Sequence, residues 1–327
     1  MTSGVTQQSL REMDIVAIGD PVLDIVVRSS TLPKWDDKNL GESAVQLAGG
    51  SEANVACAAS RLGLRTALFG NMGSGHEARF LAHALRRFGV NTAFLRRQRA
   101  ISGATAVIFV SDAGERAITY VPMQRQPNRW LELRRLLART HCIYTLPYDM
   151  GAFLRMGTAA NSAGTLVAVD IERAVASRPL ALSTLRACVD VMFFNEAGFS
   201  TLTGVQATVE AAADFIQTSR AQVLVVSLGP RGALAVGRDG QCASQAAYPA
   251  EVVDTTGAGD TFNAAFLAAF LRGHDLQTAL AQGCAAACYC IEAQGARAGL
   301  PTPDQIAALQ LSRPTPATHA YPYDNHT

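Results

Sequence analysis

Short apolar runs rich in β-branched residues recur along this chain, with amphipathic stretches between them. Asp14–Gly19, Thr66–Gly70, Cys142–Leu146, Leu166–Asp170, Val191–Asn195 and Val223–Leu228 are such runs. A strand with one wet face alternates apolar and polar residues. A continuous run fits a strand buried on both faces, as in a parallel sheet covered by helices. Glu77–Phe88 reads as one covering helix, with Phe80, Leu81, Ala84, Leu85 and Phe88 on one face. The pattern predicts an α/β fold built on a doubly wound, mostly parallel sheet flanked by helices. Two segments, about 21–47 and 101–121, break the rhythm with strand-like alternation and no long helix. Within the second, Ala104–Val110 and Ala117–Val121 flank Ser111-Asp112-Ala113-Gly114-Glu115, a hairpin turn signal. The two segments are either edge decoration of the main sheet or a small β-sheet lid over a site.

Composition narrows the function classes. Among 327 residues, 28 basic and 27 acidic side chains give a net charge of +1. That balance argues against a nucleic-acid grip built on bulk positive charge. With 49% hydrophobic and 17% charged residues, the chain has the apolar content for a large core. The apolar stretch Thr261–Leu271 is interrupted by polar residues and is too short for a bilayer. Residues 1–13 lack the apolar region of a signal peptide and read as a loose leader, as residues 313–327 read as a loose tail. Seven cysteines without framework spacing suggest reduced thiols and a cytoplasmic protein.

The strongest local signal is Asp254-Thr255-Thr256-Gly257-Ala258-Gly259-Asp260-Thr261-Phe262, followed by an apolar helical run. A Gly-Ala-Gly turn opening a helix leaves backbone N–H groups free at the positive end of the helix dipole, a place for anions such as phosphate. Asp260 then sits beside an anion site, where a carboxylate would repel the ligand. Two reasons for it are a helix cap and a general base for a hydroxyl attacking a phosphoryl group.

This string resembles the C-terminal signature of the ribokinase (phosphofructokinase-B) family of carbohydrate kinases. Gly49-Gly50-Ser51-Glu52-Ala53-Asn54-Val55-Ala56, running into Arg61-Leu62-Gly63, resembles its N-terminal Gly-Gly signature. The resemblance runs from about residue 14 to 310. It implies one kinase domain over 14–312, with the two irregular segments as its lid, and phosphorylation by ATP of a hydroxyl, primary by expectation, on a small sugar or sugar derivative. Asp260 matches the catalytic base, and Gly257, Ala258 and Gly259 match the anion hole. Asp24, Gly50, Asn54 and Asp254 match contacts to the sugar; paired hydroxyls suit carboxylate and amide partners. Asn195, Ser227, Gly229, Gly232 and Gly283 match the nucleotide side, with Asn195 near the phosphates and Mg²⁺. Asp254, Thr256, Cys290, Ala293 and Gly295 match a K⁺ site made by backbone groups. The resemblance also suggests a homodimer formed through the lids, without nucleic-acid or membrane partners.

Three departures from the family pattern stand out. Gly198 occupies the fourth position of the Asn-x-x-Glu motif, where Glu is expected; Gly75 stands where an Asp is usual, and Gly283 where many members carry an Asn. Two alternatives therefore accompany the sugar-kinase reading: a nucleoside kinase of the same family, and a catalytically weak sugar- or nucleotide-binding regulator. Cys284, Cys288 and Cys290 do not share one helical face and read as buried thiols rather than a zinc site. His76, His83, His141 and His274 lack metal spacing, and the Arg86-Arg87 and Arg96–Arg99 cluster reads as a solvated face. Lys38 and Arg125 read as surface charges, with reach to an anionic sugar substituent as the alternative.

Overall fold

The computed structural model describes residues 11–36, 38–111, 115–124, 128–313 and 317–318. The early part of the expected leader, the turn residues Asp112–Gly114, Arg125 and most of the expected tail lie outside the described residues.

The chain opens with β1 (Met13–Ile18), β2 (Val22–Arg28) and β3 (Ser43–Gly49), then α1 (Ser51–Arg61), β4 (Thr66–Met72), α2 (His76–Arg87) and β5 (Leu95–Arg97). A hairpin of β6 (Ala104–Val110) and β7 (Arg116–Val121) follows, then α3 (Trp130–Leu137), β8 (Thr140–Thr145), α4 (Met150–Ser162) and β9 (Leu166–Ile171). Next come α5 (Arg173–Ala176), α6 (Ala181–Cys188), β10 (Val191–Asn195), α7 (Glu196–Thr203) and α8 (Val209–Gln217). The last third holds β11 (Val223–Ser227), β12 (Ala233–Gly237), β13 (Cys242–Gln245), α9 (Ala258–Leu271), α10 (Leu276–Ile291), α11 (Pro303–Ser312) and β14 (Ala317–Thr318).

The large sheet has the order β14-β13-β12-β11-β10-β9-β8-β1-β4-β5. From β11 to β5 every pairing is parallel, and β12, β13 and β14 add an antiparallel end. The six apolar runs are strands β1, β4, β8, β9, β10 and β11, and every residue of β4 is buried. The strand order reverses at β1, which pairs with β4 on one side and β8 on the other. Ligands of open α/β sheets bind outside the carboxyl ends of the strands at such a reversal.

The two irregular segments form a separate sheet of order β3-β2-β6-β7, in which β2 and β6 are parallel and the outer pairs antiparallel. It is a lid sheet rather than an edge of the main one. Asp24, Ala106 and Tyr120 lie side by side across it, so they share a face.

Two expectations are corrected at the level of packing. The buried face of α2 is Ala78, Leu81, Ala82 and Leu85, whereas Phe80 and Ala84 are half-buried. Nor is the leader loose up to residue 13. Met13 pairs with Thr140 at the start of the β1–β8 ladder, and the Arg11 guanidinium donates to the carbonyls of Thr140 (2.5 Å) and Gly164 (2.7 Å). At the other end, residues 317–318 pair with β13.

Helix α9 is the hub that joins sheet to site. It packs against α1 and α10 and buries every residue from Asp260 to Ala269. Phe266 meets Phe193 of the central strand β10 edge-on, with centroids 5.5 Å apart, a favoured aromatic geometry.

Candidate functional site

A cleft of about 700 Å³ opens at the strand-order reversal. Its floor is Gly19 and Asp20 after β1, Thr145 and Leu146 at the end of β8, and Glu52 and Asn54 of α1; its roof is the lid, through Asp24, Ile108, Arg116, Ile118 and Tyr120. Thr255, Thr256, Gly257 and Asp260 close the remaining side.

Asp260 is in the first turn of α9 and only 9% exposed. Asn54 Nδ2 donates to its Oδ2 at 2.8 Å. Burial pushes its carboxyl up to about 6, against the Asn54 hydrogen bond, the Arg297 charge and the Ser51 hydroxyl. A carboxylate with this value is ionised at neutral pH, yet basic enough to accept a proton in a reaction. It does not cap its helix: Gly257 is the cap, with φ 77°, and no side chain bonds there. A Cβ on Gly257 would sit 2.5 Å from the Ala296 Cβ, so both the left-handed backbone and the space require glycine. The Ala258 N–H reaches Thr255 O at 3.3 Å, and the first bond of the helix ladder is Thr261 N–H to Gly257 O at 2.9 Å. A Cβ on Gly259 would meet open space. An anion could therefore approach the start of α9 closely there.

Asp24, on β2, is pushed up to about 6 by burial, partly offset by Arg297. Gly50, with φ 94°, precedes α1 and lines the same cleft. Asp254 behaves differently from Asp260. Its Oδ1 accepts from the Thr256 N–H (2.9 Å), the Thr256 hydroxyl (2.7 Å) and the Arg116 guanidinium, and its Oδ2 accepts from the Gly295 N–H (2.9 Å). Burial raises its carboxyl, but these hydrogen bonds and Arg116 outweigh burial and hold it below the usual range. Asp254 lines a cavity of about 600 Å³ that adjoins the cleft of Asp260 and shares Asp24, Ile108, Arg116, Thr255 and Thr256 with it. Arg116 also donates to the Thr256 hydroxyl (2.8 Å), so one guanidinium ties lid strand β7 to the loop before α9.

Residues 254–256 lie against the end of α10 and the turn after it. The Asp254 N–H donates to Ile291 O (3.2 Å), the Cys290 thiol lies 3.5 Å from Thr256 O, and the Ala293 N–H reaches Cys290 O (3.3 Å). The five residues matched to a K⁺ site are thus close together. Among the described residues no group of three or more His, Cys, Asp or Glu side chains could hold a metal ion.

On the other side, Asn195 and Ser227 are register neighbours at the carboxyl ends of β10 and β11. Gly229 and Gly232 are in the turn after β11. Gly283 is on α10, where a Cβ would meet the Phe262 ring at 2.8 Å, so glycine there lets α9 and α10 pack closely.

Asn195 caps α7, its Oδ1 accepting from the Gly198 N–H at 2.7 Å. Glu196 points away to Arg231 (2.5 Å). A Cβ on Gly198 would fall 1.8 Å from Ile171 O, so the carbonyl at the end of β9 fills the space a side chain needs. A Glu at this position therefore cannot be restored by simple substitution. Gly198→Ala lowers stability by about 1–3 kcal/mol, the cost of overpacking, and Gly198→Glu gains no activity. Denaturant unfolding beside an activity assay checks both, and a more active Glu variant contradicts the packing argument.

Several residues in or beside the site were given no role by the sequence. Glu52, inside the N-terminal signature, has its carboxylate in the cleft; Oε1 accepts from the Leu146 N–H at 3.1 Å. Burial first, then the Asp260 and Asp20 charges, push it up to about 7. Asp170 of β9 is pushed up to about 8 by burial and by Asp260 and Glu172. The Tyr148 hydroxyl donates to Glu172 at 2.6 Å. Each is a charged or phenolic side chain at the end of an apolar strand or inside a run of small residues, a signal that sequence alone carries weakly. Asp24, Glu52, Asp170 and Asp260 all bind protons more tightly folded than unfolded, so stability falls as pH rises from about 4 to about 8. Glu52→Gln flattens this slope and stabilises the protein at pH 8 by about 0.5–2 kcal/mol. Thermal unfolding at pH 5 and pH 8 checks this, and a variant no more stable at pH 8 contradicts it.

Comparison with known proteins bears on what this cleft is for. The family model described as pfkB family carbohydrate kinase matches residues 13–303. A ribokinase of Arabidopsis thaliana is 28% identical over 91% of this chain and 80% of its own length. A nucleoside kinase of Methanothermobacter thermautotrophicus is 25% identical over 89% of this chain and 93% of its own. The structure of the A. thaliana ribokinase complexed with ribose and ATP superposes with a TM-score of 0.82 and 26% identity, covering 91% of this chain and 98% of that one. Sequence, fold and the place of the cleft at the reversal of strand order agree: the chain is a carbohydrate kinase and belongs to the pfkB family.

Proposed function

We propose that the chain transfers the γ-phosphoryl group of ATP to a primary hydroxyl of a small sugar, with Asp260 as general base. The observation that carries this is a buried carboxylate at the start of α9, inside a cleft closed by a lid. The acceptor lies between lid and sheet, its hydroxyls on Asp24 and Asn54 and on the Gly50 backbone. ATP lies along the carboxyl ends of β10 and β11, by Asn195, Ser227, Gly229 and Gly232. Asp260 takes the hydroxyl proton as the oxygen attacks the γ-phosphorus in line. N–H groups of Gly257, Ala258 and Gly259 take up the charge that develops, the term that is usually largest in such sites. The lid excludes water and so limits wasteful hydrolysis.

Mg²⁺ would be held by the ATP phosphates, and the Asn195 motif is partly committed already: Asn195 Oδ1 accepts from the Gly198 N–H, and Glu196 Oε1 accepts from Arg231. The K⁺ reading fits better. Backbone oxygens of Asp254, Thr256, Cys290, Ala293 and Gly295 suit a hard cation, which would supply fixed positive charge behind the anion hole.

The test is coupled ADP release from MgATP against pentoses, hexoses, ketoses, sugar acids and nucleosides, with and without K⁺. Asp260→Asn lowers kcat by about 10²–10⁴-fold, the usual contribution of a general base, and leaves ATP binding intact. Activity surviving in that variant removes Asp260 as base; silence across the panel with ATP still bound favours the binding-only regulator. A nucleoside acceptor is the second reading, supported by two tyrosines, Tyr120 and Tyr148, lining the cleft.

The lid also supports the homodimer reading. Ile118, Tyr120 and Val121 of its edge strand β7 are exposed, an apolar edge of the kind that pairing covers. Sedimentation should give a dimer that Ile118→Lys weakens; a monomer at all concentrations excludes it.

A further inference from the structure

Arg297 is a buried cation without an ion pair. It is 8% exposed, and no carboxylate among the described residues lies within salt-bridge distance. Its Nη1 has no hydrogen-bond acceptor. A charge in this state is costly unless something nearby compensates it. Its other contacts point to the compensation. Nη2 donates to Gly49 O (2.9 Å), and Nε donates to Asn54 Oδ1 (2.8 Å). Asn54 is itself buried and donates from Nδ2 to Asp260 Oδ2.

This chain of contacts has one sense only. A guanidinium has donors and no acceptor, and an ionised carboxylate has acceptors and no donor. The amide between them must turn its oxygen to Arg297 and its nitrogen to Asp260. Without Arg297, the Asn54 oxygen loses its donor, and the amide is held from the Asp260 side alone. The guanidinium also faces an acidic neighbourhood. Asp260 is surrounded by Ser51, Glu52 and Asn54 of α1, Tyr144 of β8, Asp170 and Glu172 at the end of β9, and Cys290 of α10. Among the described residues, Arg297 is the cation whose charge bears most on Asp260.

We propose that Arg297 is a positioning residue for phosphoryl transfer: through Asn54 it holds the Asp260 carboxylate in one orientation, and its unpaired charge keeps that carboxylate ionised among its acidic neighbours. The proposal rests on Asp260 being the base. Neither family signature contains Arg297, and it does not line the cleft. Its action is through Asn54 and through its field.

The experiment is the pH dependence of kcat and kcat/KM, on the acceptor found in the panel, for the wild type and for Arg297→Met, Arg297→Lys and Asp260→Asn. Arg297→Met is expected to lower kcat about tenfold or more with KM for ATP within about twofold. Its acid limb is expected to move up by about one pH unit, the scale on which a neighbouring opposite charge acts. Arg297→Lys, which keeps the charge, should leave the limb near its wild-type place. An unmoved limb in a folded Arg297→Met protein, or a loss confined to KM, overturns the proposal. If Arg297→Met fails to fold, Asn54→Ser cuts the same link and leaves the cation: a fall in kcat at unchanged KM for both ATP and acceptor upholds the relay, and full kcat or a loss confined to the acceptor KM overturns it. Asp260→Asn separates the two levels. Activity retained there rejects the base and the relay with it, whereas a dead Asp260→Asn beside an unmoved Arg297→Met limb rejects the relay alone.

Discussion

A carboxylate taken out of water needs a reason and a set of partners, and much of this structure can be read as the partners of Asp260. Burial opposes its ionised form, while the Asn54 amide and the Arg297 charge favour it. The helix that carries it is anchored by Phe266 against the central strand, so the carboxylate is fixed relative to the sheet. The turn that starts the helix depends on Gly257, whose place against Ala296 admits no side chain. Strand reversal, helix start, lid and buried carboxylate therefore converge on one cleft, the arrangement in which a hydroxyl can meet a phosphoryl group with water kept out.

The same crowding makes the resting protein electrostatically costly. Glu52, Asp170 and Asp24 are all raised by burial, and Glu52 and Asp170 are raised further by their acidic neighbours. Sites of this kind trade stability for function. Asp20, Asp24, Glu52 and Asp260 line the cleft, and its two guanidinium groups are already engaged, Arg129 by Glu132 and Arg116 by Asp254 and Thr256. The Arg116 contact also shows how lid position is coupled to the loop that starts α9.

Much of this architecture was legible in the sequence because it follows from local chemistry. Continuous apolar runs gave the parallel strands, and the interrupted pattern of 21–47 and 101–121 gave the lid sheet. Asp254–Phe262 pointed to the start of α9, where Gly257 and Asp260 sit side by side in the cleft. What was hidden depends on long-range packing. Nothing local distinguishes Gly198, open in a motif, from Gly198 pressed on the Ile171 carbonyl; nor does Glu52 announce that its carboxylate reaches Leu146 across 94 positions of sequence. Arg297 is the extreme case, since its partners Asn54 and Gly49 are more than 240 residues away. Gly283, matched to the nucleotide side by resemblance, is also pressed on Phe262, a contact that no motif announces. Asp254 shares its motif with Asp260, yet burial, which raises the Asp260 carboxyl, is outweighed at Asp254 by hydrogen bonds that hold its carboxyl low, a distinction that only the fold makes.

The most direct test of the central claim is a crystal structure of the protein with its acceptor and a non-hydrolysable ATP analogue. The acceptor hydroxyl should lie within hydrogen-bonding distance of an Asp260 carboxylate oxygen, with the γ-phosphoryl group against the backbone N–H groups at the start of α9. An acceptor with no hydroxyl in reach of Asp260, or a γ-phosphoryl group remote from Gly257–Gly259, would contradict it.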